Sequence, residues 1–535
     1  MRRLAYDELL MLQLGVFLRR AQLRGSVRAP VLQLNDAIDT RIRERMPFKF
    51  TNAQERVVAE IVADLHKPDP ANRLIQGDVG SGKTVVALYA MLVAVANKQQ
   101  AALMAPTELL AEQHFASISE LLKGSSVKVE LLTGTLTERE KGTIHKRLAE
   151  GDIDIIIGTH ALFSEGVRFE SLAVAVIDEQ HRFGVQQRAA LRSKGGITAE
   201  VAKNAEKDIE KSEPLLLSQL ASKSIPSKSP SALSATSAVN TPLPLAPHIL
   251  VMTATPIPRT LALTLLGDLD ISTIDELPPG RTPIATRVVD ATRSGEVYQY
   301  IRTRLDAGEQ AYIVVPAIDS GASSAGQGGD EELNDLRTVM ARLEAHEFAG
   351  KRIAAIHGRL KRDTREAIMS RFRSGAIDAL VATTVIEVGV DVPNATIMVV
   401  EHADHFGLAQ LHQLRGRVGR GTKKSICVLL ASPPPITPEA EARLAALAAS
   451  TDGFELAEKD LELRGPGEVF GMRQAGAPPF RVADLARDRD LLAMARRDAM
   501  QWINRSPELH GPGEDLLRKR LMKLHGQWLG LADVG

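Results

Sequence analysis

Cysteine is almost absent from this chain of 535 residues, Cys427 being the only one. A disulfide framework and a zinc site built from several thiolates are thereby excluded, and a reducing cytosol is the expected compartment. Aromatics are scarce at 4%, and no early stretch offers strands with aromatic side chains on which bases stack. Neither sign of charge is in excess, with 66 Lys and Arg against 66 Asp and Glu. A global polycation signal for nucleic acid is therefore missing, although a neutral chain can still carry a basic groove. No apolar run approaches the ~20 residues that a membrane helix needs. Asp7 and Glu8 follow Met1-Arg2-Arg3-Leu4 too closely for a secretory apolar core. No membrane partner is expected.

What remains is a globular composition, 44% hydrophobic and 25% charged, long enough for three or four domains at ~150 residues each. Leu9, Leu10, Leu12, Leu14, Val16, Phe17 and Leu18 recur at helical spacing, so an amphipathic N-terminal helix is expected before Pro47. Residues 1–45 hold nine arginines against five acids, and Lys351 to Arg373 is also rich in basic residues. Each patch reads equally well as a solvated helix face or a nucleic-acid contact. Short apolar runs then alternate with helical segments. The first series is Arg73–Gln76, Ala101–Ala105, Val127–Leu132, Ile153–Gly158, Leu172–Ile177 and His248–Thr253. The second is Ile284–Val289, Ala311–Val315, Arg352–Ile356, Ala379–Ala382, Ala395–Val400 and Ser425–Leu430. The pattern predicts two α/β units in tandem, each on a buried parallel sheet. The Ser-rich stretch 198–243 buries too little apolar area to offset its ordering entropy and is expected to be a disordered insertion. Ser320–Asp335 reads as a second loop, and the chain beyond Pro433-Pro434-Pro435 as helical.

The sharpest local signal is Gly77-Asp78-Val79-Gly80-Ser81-Gly82-Lys83-Thr84, between an apolar strand and a helix. In that setting the glycines let backbone N–H groups wrap a polyphosphate, and the helix N-terminus adds positive potential. Lys83 reaches the β- and γ-phosphates, and the Thr84 hydroxyl suits Mg²⁺. Asp178-Glu179 closes the strand beginning at Leu172. Asp178 suits the metal, and Glu179 the attacking water. Gln180-His181 completes a D-E-x-H run, in which His181 also reads as an ordinary strand-end histidine. Far downstream, Gln413 precedes Arg415, Arg417 and Arg420. One or two of these guanidiniums could reach a γ-phosphate across a cleft; alone, the run is also a solvated basic helix.

Taken together, these motifs resemble those of superfamily 2 helicases. Gln54 in Phe48–Gln54 looks like the adenine-reading glutamine of that superfamily, and Ala105–His114, containing Thr107, resembles motif Ia. Thr133-Gly134 and Gly158-Thr159-His160 are similar to the next DNA-contacting motifs. Thr253-Ala254-Thr255 resembles motif III, Ala382–Pro393 with Thr384 motif V, and Gln413–Arg420 motif VI. The spelling of the phosphate loop, His181–Arg188, and the run Asp452–Glu468 continuing to Arg473-Gln474 are similar to the RecG family of bacterial ATP-dependent DNA helicases. The last run resembles the translocation motif that RecG shares with the Mfd translocases.

The resemblance implies two tandem RecA-like domains, at 47–275 and 276–432, between a helical segment at 1–46 and a small helical domain at 433–535. It also implies ATP and Mg²⁺ as cofactors, branched or duplex DNA as partner, unnamed replication or repair proteins as further partners, and a monomer in the bacterial cytoplasm, near the nucleoid. Thr159, Thr253 and Thr384 are then expected to relay motion to DNA, with Thr107, His181 and Thr255 beside them, and Arg464 to couple it to the second unit. RecG proteins carry an N-terminal wedge barrel, whereas this sequence opens on what looks like the helix after it. The expectation is a shortened homologue or a fragment. Two other readings stand beside the helicase: an Mfd-like duplex translocase without unwinding, and a non-catalytic DNA-binding relic. Retention of Lys83, Asp178, Glu179, Arg417 and Arg420 weighs against a relic.

Overall fold

The computed structural model describes residues 1–25, 27–164, 166–179, 245–254, 258, 269–278, 283–316, 336–383, 392–419, 421, 423–433, 436–464, 480–484 and 487–529. The expected insertion at 198–243 and the loop Ser320–Asp335 lie outside the described residues.

Three helices come first: α1 (Arg2–Gly25), α2 (Asp36–Glu44) and α3 (Asn52–Leu65). The first α/β unit follows as β1 (Asn72–Gly77), α4 (Lys83–Ala96), β2 (Gln100–Met104), α5 (Glu108–Leu121), β3 (Val129–Leu132), α6 (Glu138–Ala149), β4 (Ile155–Gly158), β5 (Leu172–Asp178), β6 (His248–Thr253) and β7 (Asp270–Ile274). Its seven strands lie in the order β3-β4-β2-β5-β6-β1-β7, and every pairing is parallel. Runs such as Ile155-Ile156-Ile157 are buried on both faces, as a sheet covered on both sides requires. One core lies between the sheet and α3, α4 and α5, through Val57, Ile61, Leu88 and Leu103. A second fills the other face, through Leu148, Ile156, Ile177 and Val251.

The second unit comprises β8 (Ala285–Asp290), α7 (Ser294–Asp306), β9 (Gln310–Val314), β10 (Ile353–Ile356), α8 (Arg362–Arg373), β11 (Ala379–Ala382), β12 (Ala395–Val400), α9 (Leu408–Arg415) and β13 (Ile426–Ala431). Its six strands are ordered β10-β11-β9-β12-β13-β8, again with every pairing parallel. Cys427 on β13 is wholly buried, and that burial pushes its thiol up to about 12. The fold class is the one expected: two tandem α/β units on parallel sheets. All twelve anticipated strands form within a residue or two of their expected ends. One strand was not anticipated, β7, and it extends the first sheet at the β1 edge.

Among the described residues, four helices close the chain: α10 (Pro438–Ala449), α11 (Gly453–Arg464), α12 (Arg489–Arg505) and α13 (Glu514–Leu529). Helix α1 packs on this end of the chain. Leu14, Phe17 and Leu18 are buried with Ala499, Ile503 and Leu521, and Ala5 and Leu9 with Leu461, Leu491 and Leu492. The Glu8 carboxylate accepts from the backbone N–H groups of Arg481, Val482 and Ala483 at 2.7, 3.1 and 2.9 Å. Helix α2, in contrast, belongs to the first unit: Arg43 pairs with Glu55 at 2.5 Å, and Tyr89 donates to Asp39. Helix α11 spans two cores, since Leu456 enters the core of the second unit and Leu461 that shared with α1.

Leu9 is 0% exposed between α11 and α12. Leu9→Ala should cost ~2–5 kcal/mol, read as a lowered denaturant midpoint for the terminal helices. Normal stability of the variant would show that α1 is dispensable to that unit.

Candidate active site

Strand β1 ends at Gly77, the loop turns through 78–82, and α4 starts at Lys83. Gly82 is the N-cap and sits at φ +85°, in the left-handed region that glycine enters without penalty. A Cβ there would also strike the Gln54 amide. The α4 N-terminus faces the loop with its positive dipole end, the arrangement that favours phosphate. Lys83 is 9% exposed, and its Nζ donates to the carbonyls of Gly77 and Asp78, both at 2.8 Å. The ammonium is thus held across the mouth of the loop, with Thr84 next to it in the first turn of α4.

Gln54, expected to read adenine, is buried and braces this loop. Its Oε1 accepts from the Thr51 N–H at 2.9 Å, half of a capping box that starts α3. Its Nε2 donates to the Ser81 carbonyl at 2.8 Å.

Asp178 and Glu179 leave the same edge of the sheet. Strand β5, which ends at Asp178, is separated from β1 only by β6, and in parallel strands all the C-terminal ends face one side. Glu179 holds φ +57°. A non-glycine residue in that region carries strain of about 1–3 kcal/mol, as is common at functional sites. Asp178 accepts at Oδ2 from His114 Nε2 of α5 at 2.8 Å. On the same edge lie Thr107, the N-cap of α5, the buried Thr159 after β4, and the buried Thr253 at the end of β6. Glu108, the first residue of α5, accepts from the Gly134 N–H at 2.7 Å.

The second unit meets the phosphate loop through α9. His412 Nε2 lies 2.8 Å from Asp78 Oδ1. Arg415 donates to His412 Nδ1 at 2.8 Å. An arginine only donates, so Nδ1 is the acceptor and the proton toward Asp78 sits on Nε2. Arg415 is itself anchored by the carbonyls of Leu447 and Ser450 at 2.8 and 2.7 Å, where α10 ends. Burial works to raise the Asp78 pKa. The hydrogen bond from His412, the Val79 N–H and the charge of Lys83 outweigh it and leave the carboxyl below its usual range. One residue past α9, a Cβ on Gly416 would lie 3.0 Å from the Val79 side chain, so any larger residue would push that side chain back by a few tenths of an ångström. Arg417 follows immediately and is half-buried, as is Gln413. Of the other expected site residues, His181, Thr255, Thr384 and Arg420 lie outside the described residues. Arg464 closes α11, and its side chain is likewise outside them.

The structure thus brings Gln54, the loop 77–84 and α9 together, with Asp178 and Glu179 at the same edge of the sheet. His114, His412 and Arg415 were not assigned these contacts from the sequence. For the last two, the spacing i, i+3 on one helix was the available signal.

Known families divide the chain along the same lines. The DEAD/DEAH box helicase family matches residues 51–263, the helicase conserved C-terminal domain residues 297–422, and domain 3 of ATP-dependent DNA helicase RecG residues 450–534. The ATP-dependent DNA helicase RecG of Bacillus subtilis is 40% identical over 523 residues, which are 98% of this chain and 68% of that protein. The chain belongs to the RecG family. RecG of Synechocystis is 42% identical over 99% of this chain, and RecG of Aquifex aeolicus 40% over 100%. The chain spans 56% and 60% of those two relatives. A solved RecG bound to a three-way DNA junction superposes with a TM-score of 0.69 at 39% identity, over 92% of this chain and 56% of that one. The helicase MrfA bound to DNA, at 16% identity and a TM-score of 0.51, shares the fold.

Because the folded Asp78 pKa is depressed, its contribution to stability is present above the ordinary aspartate pKa of ~3.9 and is lost as pH falls through the lower folded value. The unfolding free energy of the wild type minus that of Asp78→Asn should therefore stay constant from neutrality and narrow only below about pH 4. A difference that narrows between pH 6 and 8 would assign the effect to another group.

Proposed function

We propose that this chain is the motor of an ATP-dependent DNA helicase of RecG type, acting on branched DNA such as stalled forks and recombination intermediates. The observation that carries the reading is the contact of the phosphate loop with α9, through Asp78–His412 and Val79–Gly416. A nucleotide on this loop is thereby bordered by groups from both units, which is what a motor needs to turn hydrolysis into relative movement.

In this reading Gly77 to Thr84 wrap the polyphosphate, and Lys83 exchanges its two carbonyl partners for phosphate oxygens. Gln54 keeps the loop in shape and has one amide hydrogen and one lone pair left for the base. Glu179 orients the attacking water. Arg417, and with it Arg420, neutralises charge that develops on the transferred group. The donors near the loop, the Thr84 hydroxyl and the Asp178 carboxylate, are hard oxygens of the kind that Mg²⁺ takes, and the ion supplies charge neutralisation to the phosphates when bound. Thr107, Thr159 and Thr253 share one edge of the first sheet and are proposed to touch the DNA backbone, with His181, Thr255 and Thr384 in the same role. Arg464 is proposed to couple cleft closure to movement along duplex. The solved relative bound to a three-way junction supports branched DNA as the substrate.

Glu179→Gln should bind ATP as the wild type does and lose turnover, because the phosphate cradle is intact while the water loses its carboxylate. Equilibrium nucleotide binding and phosphate release measure the two separately, and wild-type turnover would remove Glu179 from the site.

Arg417→Ala should lower kcat by ~10³-fold or more with far less effect on nucleotide affinity. An unchanged kcat would return this arginine to a solvated surface. Unwinding of a fork compared with displacement of a third strand from linear duplex separates a RecG-type enzyme from a duplex-only translocase.

A further inference from the structure

Helix α5 is tied both to its own unit and to the second. Glu108 holds the Gly134 N–H at 2.7 Å. Leu109 packs against the core of the second unit. Glu112 faces Glu366 and Arg373 of α8, and burial followed by the Glu366 charge raises its pKa. Two turns into the helix, His114 reaches back into its own unit and donates to Asp178. Both side chains of that last pair are largely enclosed, at 12% and 15% exposure.

An enclosed carboxylate with one oxygen occupied by a fixed N–H presents the other in a defined direction. Metal-ligating carboxylates are regularly held in this way, and the outer hydrogen bond is worth about 10–100-fold in metal affinity. We propose that His114 is a positioning residue that fixes the Asp178 carboxylate for Mg²⁺, from a helix seated against the second unit. This deepens the function proposed above and rests on Asp178 being the metal's carboxylate. His114 does not touch the nucleotide or the metal; it acts through one hydrogen bond.

The test measures binding without turnover. A fluorescent, non-hydrolysable ATP analogue is bound to the full chain, and Mg²⁺ is titrated in. Asp178→Asn should raise the Mg²⁺ midpoint strongly. His114→Ala should raise it about tenfold, leaving analogue affinity without Mg²⁺ unchanged. His114→Phe, which keeps volume and lacks the donor, should do the same, so the result does not depend on a cavity. His114→Gln, whose amide restores an N–H at similar reach, should recover most of the loss. His114→Ala added to Asp178→Asn should give no further shift. Wild-type midpoints for both His114→Ala and His114→Phe, beside a shifted Asp178→Asn, would overturn the role of His114 and leave the metal assignment standing. An Asp178→Asn variant with the wild-type midpoint would sink both. If Gln is as impaired as Phe, the hydrogen bond is not the cause and the proposal fails.

Discussion

The hydrogen bond from His412 to Asp78 ties the phosphate loop to the second unit, and the arrangement of the cleft hangs on it. The loop is an anion cradle, so a carboxylate inside it works against its purpose unless that charge is compensated. His412 and the loop's own N–H at Val79 supply the compensation. The imidazole is in turn oriented by Arg415, which is pinned by two carbonyls at the end of α10. Each link is short and directional, and together they join the loop to the end of α10. Beside these links the turn at Gly416 passes close to the Val79 side chain.

Parallel sheets explain why so much chemistry gathers in one place. All their strands run the same way, so the loops after β1, β2, β4, β5 and β6 emerge on a common edge. Gln54 reaches that edge from α3 because the residue that caps the helix also orients its amide. Three residues there carry positive φ: Gly80 and Gly82 tolerate it, and Glu179 does not do so freely. The strained position is the one proposed to aim its carboxylate at the attacking water.

The buried strands were legible in the sequence because a strand covered on both faces has to be a short, uniformly apolar run. Strand β7 was not. Asp270-Ile271-Ser272-Thr273-Ile274 is neither uniformly apolar nor alternating, so its Asp, Ser and Thr read as loop, although Ser272 and Ile274 are buried. The phosphate loop and the Asp178-Glu179 pair were legible because their chemistry dictates both composition and spacing. The contacts of His114 and His412 were not, since each joins elements whose proximity depends on strand order or on the packing of one unit against the other. The amphipathic stripe of α1 announced that it buries one face; nothing local named its partners, which lie near the other end of the chain.

That last separation bears on how the protein is made. Tyr6 and Asp498, which share a 2.5 Å hydrogen bond, are 492 residues apart in the chain. At ~5–20 residues per second a ribosome takes roughly 25–100 s to cover that distance. Until the chain has passed Leu461, the apolar stripe of α1 lacks the side chains that cover it, while both sheets are being completed. The helix that emerges early therefore docks among the last, and the nascent chain must keep Leu9, Leu14 and Leu18 from other apolar surfaces until then. A chaperone that shields short hydrophobic helices during synthesis would find its substrate in α1.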